Sequence, residues 1–304
     1  MSRWTDRGRW LRRMAAGLLA GSVALGGCGK KAEPAVAPKE DSAQTSSSPA
    51  TADGKKNELS APGPVVRDAL HQAFADAVRN SENPPEGAEK PPDETVSKKP
   101  VHRILESVRQ NWDTIRFTSA AGKKIVFTAV VDTSAGSMQV ALFPDLAPNH
   151  VRNFIALAKA GYYDQLFIER ARHEENAMTN QEVHILEAGC PLGTGETASG
   201  SIGYWLKQEL TPGDKMTHEE GTVGACRAED ADTAATRFYI NLTKAPFLDG
   251  NYTVFGKVVQ GLDVLRKIAK EPVIIDDEGV SRPEKSIQIT KVTILAQEVE
   301  PEKK

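Results

Sequence analysis

From Lys123 onward, apolar and polar positions alternate: Ile125, Phe127, Ala129 and Val131, then, across Ser134-Ala135-Gly136, Met138, Val140 and Leu142. Two period-two runs separated by a short glycine-containing turn predict a β-hairpin. The period then lengthens. Val151, Phe154, Ile155 and Ala158 recur at i, i+3, i+4 and i+7, which predicts an amphipathic helix over 148–160. Pro148 suits its first turn, where a missing N–H is harmless, and Gly161 suits the left-handed position that ends it. After Tyr162 and Tyr163, the run Leu166-Phe167-Ile168 predicts a short strand that delivers Arg170. Further short apolar runs at 183–186, 222–226, 237–242, 252–259 and 287–295 predict strands, and Leu262, Leu265 and Ile268 mark a second helix over Gly261 to Ile268. Many short strands with turn signals and two helices point to a closed antiparallel barrel.

Upstream the pattern is different. Val66, Ala69, Leu70, Ala73, Phe74 and Ala77 form a helical stripe over Val65 to Val78, after Gly63-Pro64. Asn83-Pro84-Pro85 and Pro91-Pro92 interrupt it, and Pro100 opens another helix with Val101, Ile104, Leu105, Val108 and Trp112 on one face. These helices either pack on the following domain or serve a partner. Gly29 to Pro62 is rich in Ala, Pro, Ser, Thr and Lys, too poor in apolar surface to offset chain entropy, and reads as a disordered tether. At the N-terminus, Arg3, Arg7, Arg9, Arg12 and Arg13 precede an apolar run from Met14 to Leu25, too short to span a bilayer. Leu25-Gly26-Gly27-Cys28 resembles the bacterial lipoprotein signal, which implies lipidation of Cys28; the alternative is an ordinary cleaved signal peptide. Arg12-Arg13 is not followed by a twin-arginine pattern. The expected organisation is a signal peptide over 1–28, a linker over 29–62, a helical and proline-rich extension over 63–118, the barrel over 119–297 and a charged tail over 298–304. The expected location is extracytoplasmic, on a membrane through the N-terminal lipid.

Composition narrows the function classes. A net charge of −3 over 304 residues, with no clustered basic stretch in the folded part, gives no footprint for nucleic acid. With Cys28 assigned to the lipid, Cys190 and Cys226 remain as either a disulfide or two buried thiols; spacing does not decide. His173, His184 and His218 with those cysteines lack C-x-x-C or H-x-x-x-H spacing, so no metal site is assigned. No Ser/His/Asp arrangement suggests a protease. A monomer is expected.

Five segments, taken in order, resemble the cyclophilin family: VALFPDLAP, NHVRNFIALAKAGYYD, GTVGAC, RFYINL and APFLDGNYTVFGKVVQGLDVLRKI. The resemblance runs from about Ile125 to Leu295. It implies a mainly β fold, a closed eight-stranded antiparallel barrel capped by two helices. It implies peptidyl-prolyl cis–trans isomerase activity on proline-containing polypeptides, without cofactor or metal. The chemistry suits an arginine. Peptide rotation faces a barrier of about 18–20 kcal/mol because resonance is broken in the twisted state. An N–H placed against the pyramidal nitrogen stabilises that state selectively.

Carried over by position, the resemblance makes Arg170, in Ile168-Glu169-Arg170, the catalytic arginine. It makes Phe247 and Leu248 a pocket wall, Tyr239 an aromatic pocket residue and Tyr252 a rim residue, where the family has histidine. Ile185, Cys226 and Arg227 belong to the same substrate-binding surface. Three positions depart further. His184 replaces a pocket aromatic, Glu187 replaces the glutamine that helps hold the arginine, and Arg237 replaces another pocket glutamine. Glu187 therefore either pairs with Arg237 or draws Arg170 off the substrate. Ala171 to Glu182 is longer than the family pattern and polar, an insert beside the groove that either narrows substrate access or contacts a partner, or is an inert surface loop. Two function classes follow: an isomerase that assists folding of extracytoplasmic proteins, or a non-catalytic module of the same fold that binds proline-containing segments or scaffolds an envelope assembly.

Overall fold

Phe127, Ala129 and Val131 are buried while their neighbours are partly exposed, and the same alternation runs through Met138, Val140 and Leu142, in the computed structural model of the chain. The structure describes residues 69–86, 88–176, 181–195, 200–210, 217–275 and 281–300, with backbone only at 173–176 and 181–183. The signal segment with Cys28 and the tether over 29–62 lie outside the described residues.

In chain order, a single helical turn α1 (Phe74–Ala77) leads into β1 (Val78–Asn80) and then α2 (Val101–Trp112). The hairpin β2 (Lys124–Thr133) and β3 (Gly136–Leu142) precedes α3 (Pro148–Lys159). Next come β4 (Ile168–Asn176), β5 (Gln181–Ala188), β6 (Tyr204–Leu206), β7 (Thr222–Ala225) and β8 (Phe238–Asn241). The chain continues with β9 (Val254–Gln260), α4 (Leu262–Ala269), β10 (Val273–Ile275), β11 (Ser281–Pro283) and β12 (Ile289–Val299). Eight strands form one antiparallel sheet in the order β12-β2-β3-β9-β7-β8-β5-β4. The sheet curls until its two ends meet. Gln165 N donates to Ile289 O at 2.7 Å, Ile289 N to Leu166 O at 2.7 Å, and Ile168 N to Ile287 O at 2.9 Å. The barrel is thus closed by a short seam at the start of β4, which leaves the rest of that strand free to carry side chains outward.

Residues 149–158 of α3 are all buried, although the sequence pattern marks only one apolar face. The second face is covered by the N-terminal extension. Val101, Ile104, Val108 and Trp112 of α2 join the barrel's own core cluster. Between the two helices lies Arg152, fully buried, with its guanidinium 4.8 Å from the Phe117 ring centre and 5.6 Å from that of Trp112. Its donors reach Ile115 O, Asn149 Oδ1 and Leu70 O. Both ends of α3 are capped from a distance, which offsets the unpaired backbone groups that every helix terminus leaves. At the N-terminus the Glu209 carboxylate accepts from Asn149 N and from His150 N at 2.9 Å. At the C-terminal exit Lys99 Nζ donates to Gly161 O at 2.5 Å and to Tyr162 O and Asp164 O. Gly161 has φ +66°, the left-handed conformation expected of a helix-ending residue.

Three expectations change. The stripe over Val65 to Val78 yields one helical turn among its described residues, and Val78 instead begins a strand paired with Leu206. Backbone pairing to β6 overrides a weak local helical tendency there. The insert over Ala171 to Glu182 takes the form of sheet where a loop was the bland alternative: β4 and β5 pair out to Asn176 and Gln181 in its described part. A two-stranded ribbon, β10 with β11, appears after α4 where no strand was expected.

The cover over α3 is testable. Trp112→Ala removes a fully buried side chain that also stands edge-on to Phe74 at 5.1 Å and donates through Nε1 to Gln72 O. Large-to-small core changes of this kind lower stability by about 3–5 kcal/mol. Chemical denaturation should show that loss in the single transition of the barrel; a shift near zero would mean the extension is not part of the cooperative unit.

Candidate functional site

Alternation along β4, β5, β7 and β8 sends one set of side chains into the barrel and the other outward. Ala171, Leu186, Ala188, Val223, Phe238 and Ile240 belong to the main core. Ile185 and Tyr239, from the opposite face, join Cys226, Ala245, Leu248 and Tyr252 in a second apolar cluster, with Phe247 partly buried against it. That cluster brings together Ile185, Cys226, Tyr239, Phe247, Leu248 and Tyr252, all expected in the substrate-binding surface.

Beside it stands a charged group. A register shift between Ile168 and Arg170 places two residues, Glu169 and Arg170, between inward-facing Ile168 and Ala171, the signature of a β-bulge. Glu187, opposite Arg170 in the ladder and 2% exposed, is the centre of the group. Its Oε1 lies 2.9 Å from Arg172 Nε, its Oε2 accepts from Arg237 Nη2, and Arg170 Nη1 stands 3.7 Å away. Glu169 completes the network: its carboxylate accepts from Arg237 Nε at 2.9 Å and from Cys190 N at 2.8 Å. Two carboxylates and three guanidiniums thus share one largely buried site. Burial pushes the Glu187 carboxyl up, but Arg172, Arg237 and Arg170 outweigh it and hold the group below the usual carboxylate range. For Glu169 burial wins, and its carboxyl lies above that range despite Arg237.

Of the two pairings open in the sequence, the structure takes Glu187 with Arg237. Arg170 lies beyond hydrogen-bond distance of Glu187, and its Nε, although buried, has no hydrogen-bond partner among the described residues. Its aliphatic stem rests on Gly195, where a Cβ would sit 2.7 Å from Arg170 Cγ; with φ +74°, that position favours glycine twice over. Arg170 is therefore held by packing and by the longer-range pull of Glu187, with its Nε left unpartnered among the described residues.

The remaining expected residues sit as follows. His184 is half-buried in β5 and its N–H donates to Thr243 Oγ1. Tyr252, expected on a rim, is 2% exposed, with the Arg227 guanidinium 4.5 Å over its ring and Tyr239 edge-on at 6.1 Å. Arg227 also donates to Asn251 O, Ala228 O and Glu229 O. Cys190 and Cys226 are free thiols, both buried, and burial pushes the Cys226 thiol well up. Glu169, Arg172 and His218 were missed as members of the site. The period-two spacing of Arg170 and Arg172 was a readable signal for the second arginine; the bulge that turns Glu169 inward was not.

The comparisons fall into place on this geometry. The model of the cyclophilin type peptidyl-prolyl cis-trans isomerase family matches residues 128–294. Peptidyl-prolyl cis-trans isomerase-like 2 of Rhizopus delemar is 32% identical over 195 residues, 64% of this chain and 34% of that longer protein. Peptidyl-prolyl cis-trans isomerase-like 1 of Neurospora crassa is 30% identical over 168 residues, 55% of this chain and 94% of the relative. A crystal structure of a Cryptosporidium parvum cyclophilin type isomerase aligns with 56% of this chain and 98% of its own, at 24% identity and a TM-score of 0.47. The chain belongs to the cyclophilin-type peptidyl-prolyl cis–trans isomerase family. Isomerisation of prolyl peptide bonds is the activity of that class.

The charged group makes a stability prediction. Glu187→Gln keeps the shape and removes the charge that Arg172 and Arg237 face. Breaking a buried ion pair from one side costs about 3–5 kcal/mol. Thermal unfolding should show that loss, and the double variant with Arg237→Gln, which also strands Glu169, should lose less than the sum of the two single losses; strictly additive losses would mean that the two residues do not share the pair.

Proposed function

We propose that this domain catalyses cis–trans isomerisation of X–Pro bonds in proteins outside the cytoplasm, with Arg170 as the catalytic residue. The observation that carries the reading is the state of Arg170: a guanidinium beside an apolar, aromatic cluster, packed in place and left with an unpartnered Nε. For an X–Pro bond the end states differ by only about 0.5–1 kcal/mol, so lowering the barrier is the whole task. A proline ring held against the Phe247 and Leu248 wall brings its nitrogen towards Arg170. An N–H donated to the lone pair that appears only in the twisted state favours that state over both planar ones. Glu187 supports this indirectly, since Arg172 and Arg237 occupy it and Arg170 is left available.

A second reading is favoured by one observation. Ile185, Tyr239 and Leu248 are fully buried, with Phe247 packed against the cluster they form. A module that grips proline-containing segments without turning them over is consistent with so closed a pocket. An isomerisation assay on a panel of X–Pro peptides separates the two. The expected result is a measurable wild-type rate that falls about 10²–10³-fold in Arg170→Ala, the effect of losing one transition-state donor. No rate above background on any peptide, or an unchanged rate in the variant, sinks the catalytic reading and leaves the binding module.

The anchor is part of the same reading. Arg3 to Arg13, the apolar run Met14 to Leu25 and Leu25-Gly26-Gly27-Cys28 support a lipidated Cys28 that keeps the catalyst beside slowly isomerising clients. Cys28→Ala should move the protein from the membrane fraction to the soluble fraction; retention on the membrane would defeat the lipid anchor.

A further inference from the structure

The floor and one wall of the apolar cluster come from β8 and the turn at 245–249, and a single residue more than twenty positions upstream bonds to both. His218 is buried just ahead of β7. Its Nε2 lies 2.7 Å from Tyr239 Oη, its Nδ1 lies 2.7 Å from Asp249 Oδ1, and its own N–H donates to that same oxygen at 2.8 Å. Its carbonyl accepts from Ala245 N at 2.8 Å. The imidazole and the Tyr239 ring lie nearly parallel, 21° apart. Asp249 closes the short helical turn Pro246–Leu248, which carries Phe247 and Leu248. One side chain and its backbone therefore tie the aromatic floor to the wall.

The protons fall in one arrangement. A carboxylate only accepts, so the ring hydrogen facing Asp249 sits on Nδ1. Nε2 of the neutral ring is then an acceptor, and the Tyr239 hydroxyl donates to it. Burial pushes the His218 imidazole below its ordinary value, against the upward pull of Asp249, which favours that neutral ring. Gly224 makes the arrangement possible, because a Cβ there would overlap Tyr239 Cζ and Oη as the ring crosses β7. Without His218 the tyrosine hydroxyl would be a buried donor with no acceptor, and the ring would have reason to turn.

We propose that His218 is a positioning residue of the proline pocket, fixing the Tyr239 ring and the 245–249 turn through an Asp249–His218–Tyr239 relay. The proposal rests on the isomerase reading for its place in the reaction. It acts on binding of the proline segment, whereas Arg170 acts on the twisted bond. The test compares His218→Ala, Tyr239→Phe and the double variant with the wild-type full chain, measuring kcat and KM on an X–Pro peptide and peptide affinity by titration. His218→Ala should raise KM and Kd by on the order of tenfold with kcat within about twofold, since a buried orphaned hydroxyl disturbs the pocket and leaves the donor to the nitrogen in place. Adding Tyr239→Phe should then recover part of the affinity, because the orphan is gone. Unchanged affinity in His218→Ala, a loss confined to kcat, or strictly additive losses in the double variant would overturn the proposal. Should His218→Ala fail to fold, nitrogen and proton NMR of the wild type decides: a slowly exchanging Nδ1–H with an unprotonated Nε2 at neutral pH supports the relay, and the opposite tautomer or a charged ring defeats it. A wild type without isomerisation would defeat the catalytic reading alone, because the affinity and NMR results still judge His218.

Discussion

A carboxylate with almost no exposure, set among three guanidiniums, is the constraint on which the rest of the site depends. An isolated ionised carboxylate in such a place would be strongly penalised, and so would each unpaired arginine. Glu187 resolves both at once by taking Arg172 and Arg237 at close range, while Glu169 takes the remaining side of Arg237. What matters for chemistry is the ranking this creates. With its near contacts filled, Glu187 holds Arg170 only at 3.7 Å. The electrostatic pull still orders the guanidinium, but no hydrogen bond from Glu187 fixes it. Replacing a neutral amide by a carboxylate at this position would be damaging alone; beside Arg237 and Arg172 it becomes a scaffold.

The same interdependence reaches the N-terminal extension. The extension buries the second face of α3, and through Lys99 it caps the chain where that helix exits. It also touches the loop beneath the catalytic candidate. Val96 N donates to Pro191 O at 2.6 Å, and the Val96 side chain would lie 3.4 Å from a Cβ at Gly193. Two residues on, Gly195 carries the stem of Arg170, and one residue before Pro191 the Cys190 N–H holds Glu169. Packed interiors transmit strain because they have few voids into which to relax. The extension is continuous with the support of the site, although the family match begins only at residue 128.

Much of this was legible in the sequence, for physical reasons that can be named. The β2–β3 hairpin, α3, Gly161 and α4 follow from period and punctuation, because each is a local preference that the fold happens to agree with. The apolar cluster around Tyr239 and Leu248 was also legible, by position in the resembling motifs. The misses share one cause. Val78 became a strand because β6 lies beside it, the described part of the 171–182 segment became ladder because β4 and β5 keep pairing, and Glu169 turned inward because of a bulge. Each outcome is decided by a partner distant in sequence. His218 is the sharpest case. Weighed as a metal ligand, it had no support from spacing, and its bonds to Tyr239, Asp249 and Ala245 could not be read from any period or motif.

Charge and apolar surface divide the outer face of the sheet between them, and they differ in what holds each. The arginine–carboxylate group is bonded on several sides, so displacing one member strands another. The apolar cluster is bonded through Tyr239 and the 245–249 turn, with Phe247 partly buried against it and Arg227 lying across Tyr252 by a cation–π contact while donating to Asn251 O, Ala228 O and Glu229 O. Each half of this face is thus held by contacts of its own kind, ion pairs on one side and ring packing with backbone hydrogen bonds on the other. On the proposed reading, selective stabilisation of a twisted amide needs both parts, an apolar hold for the proline ring and a guanidinium kept in place beside it.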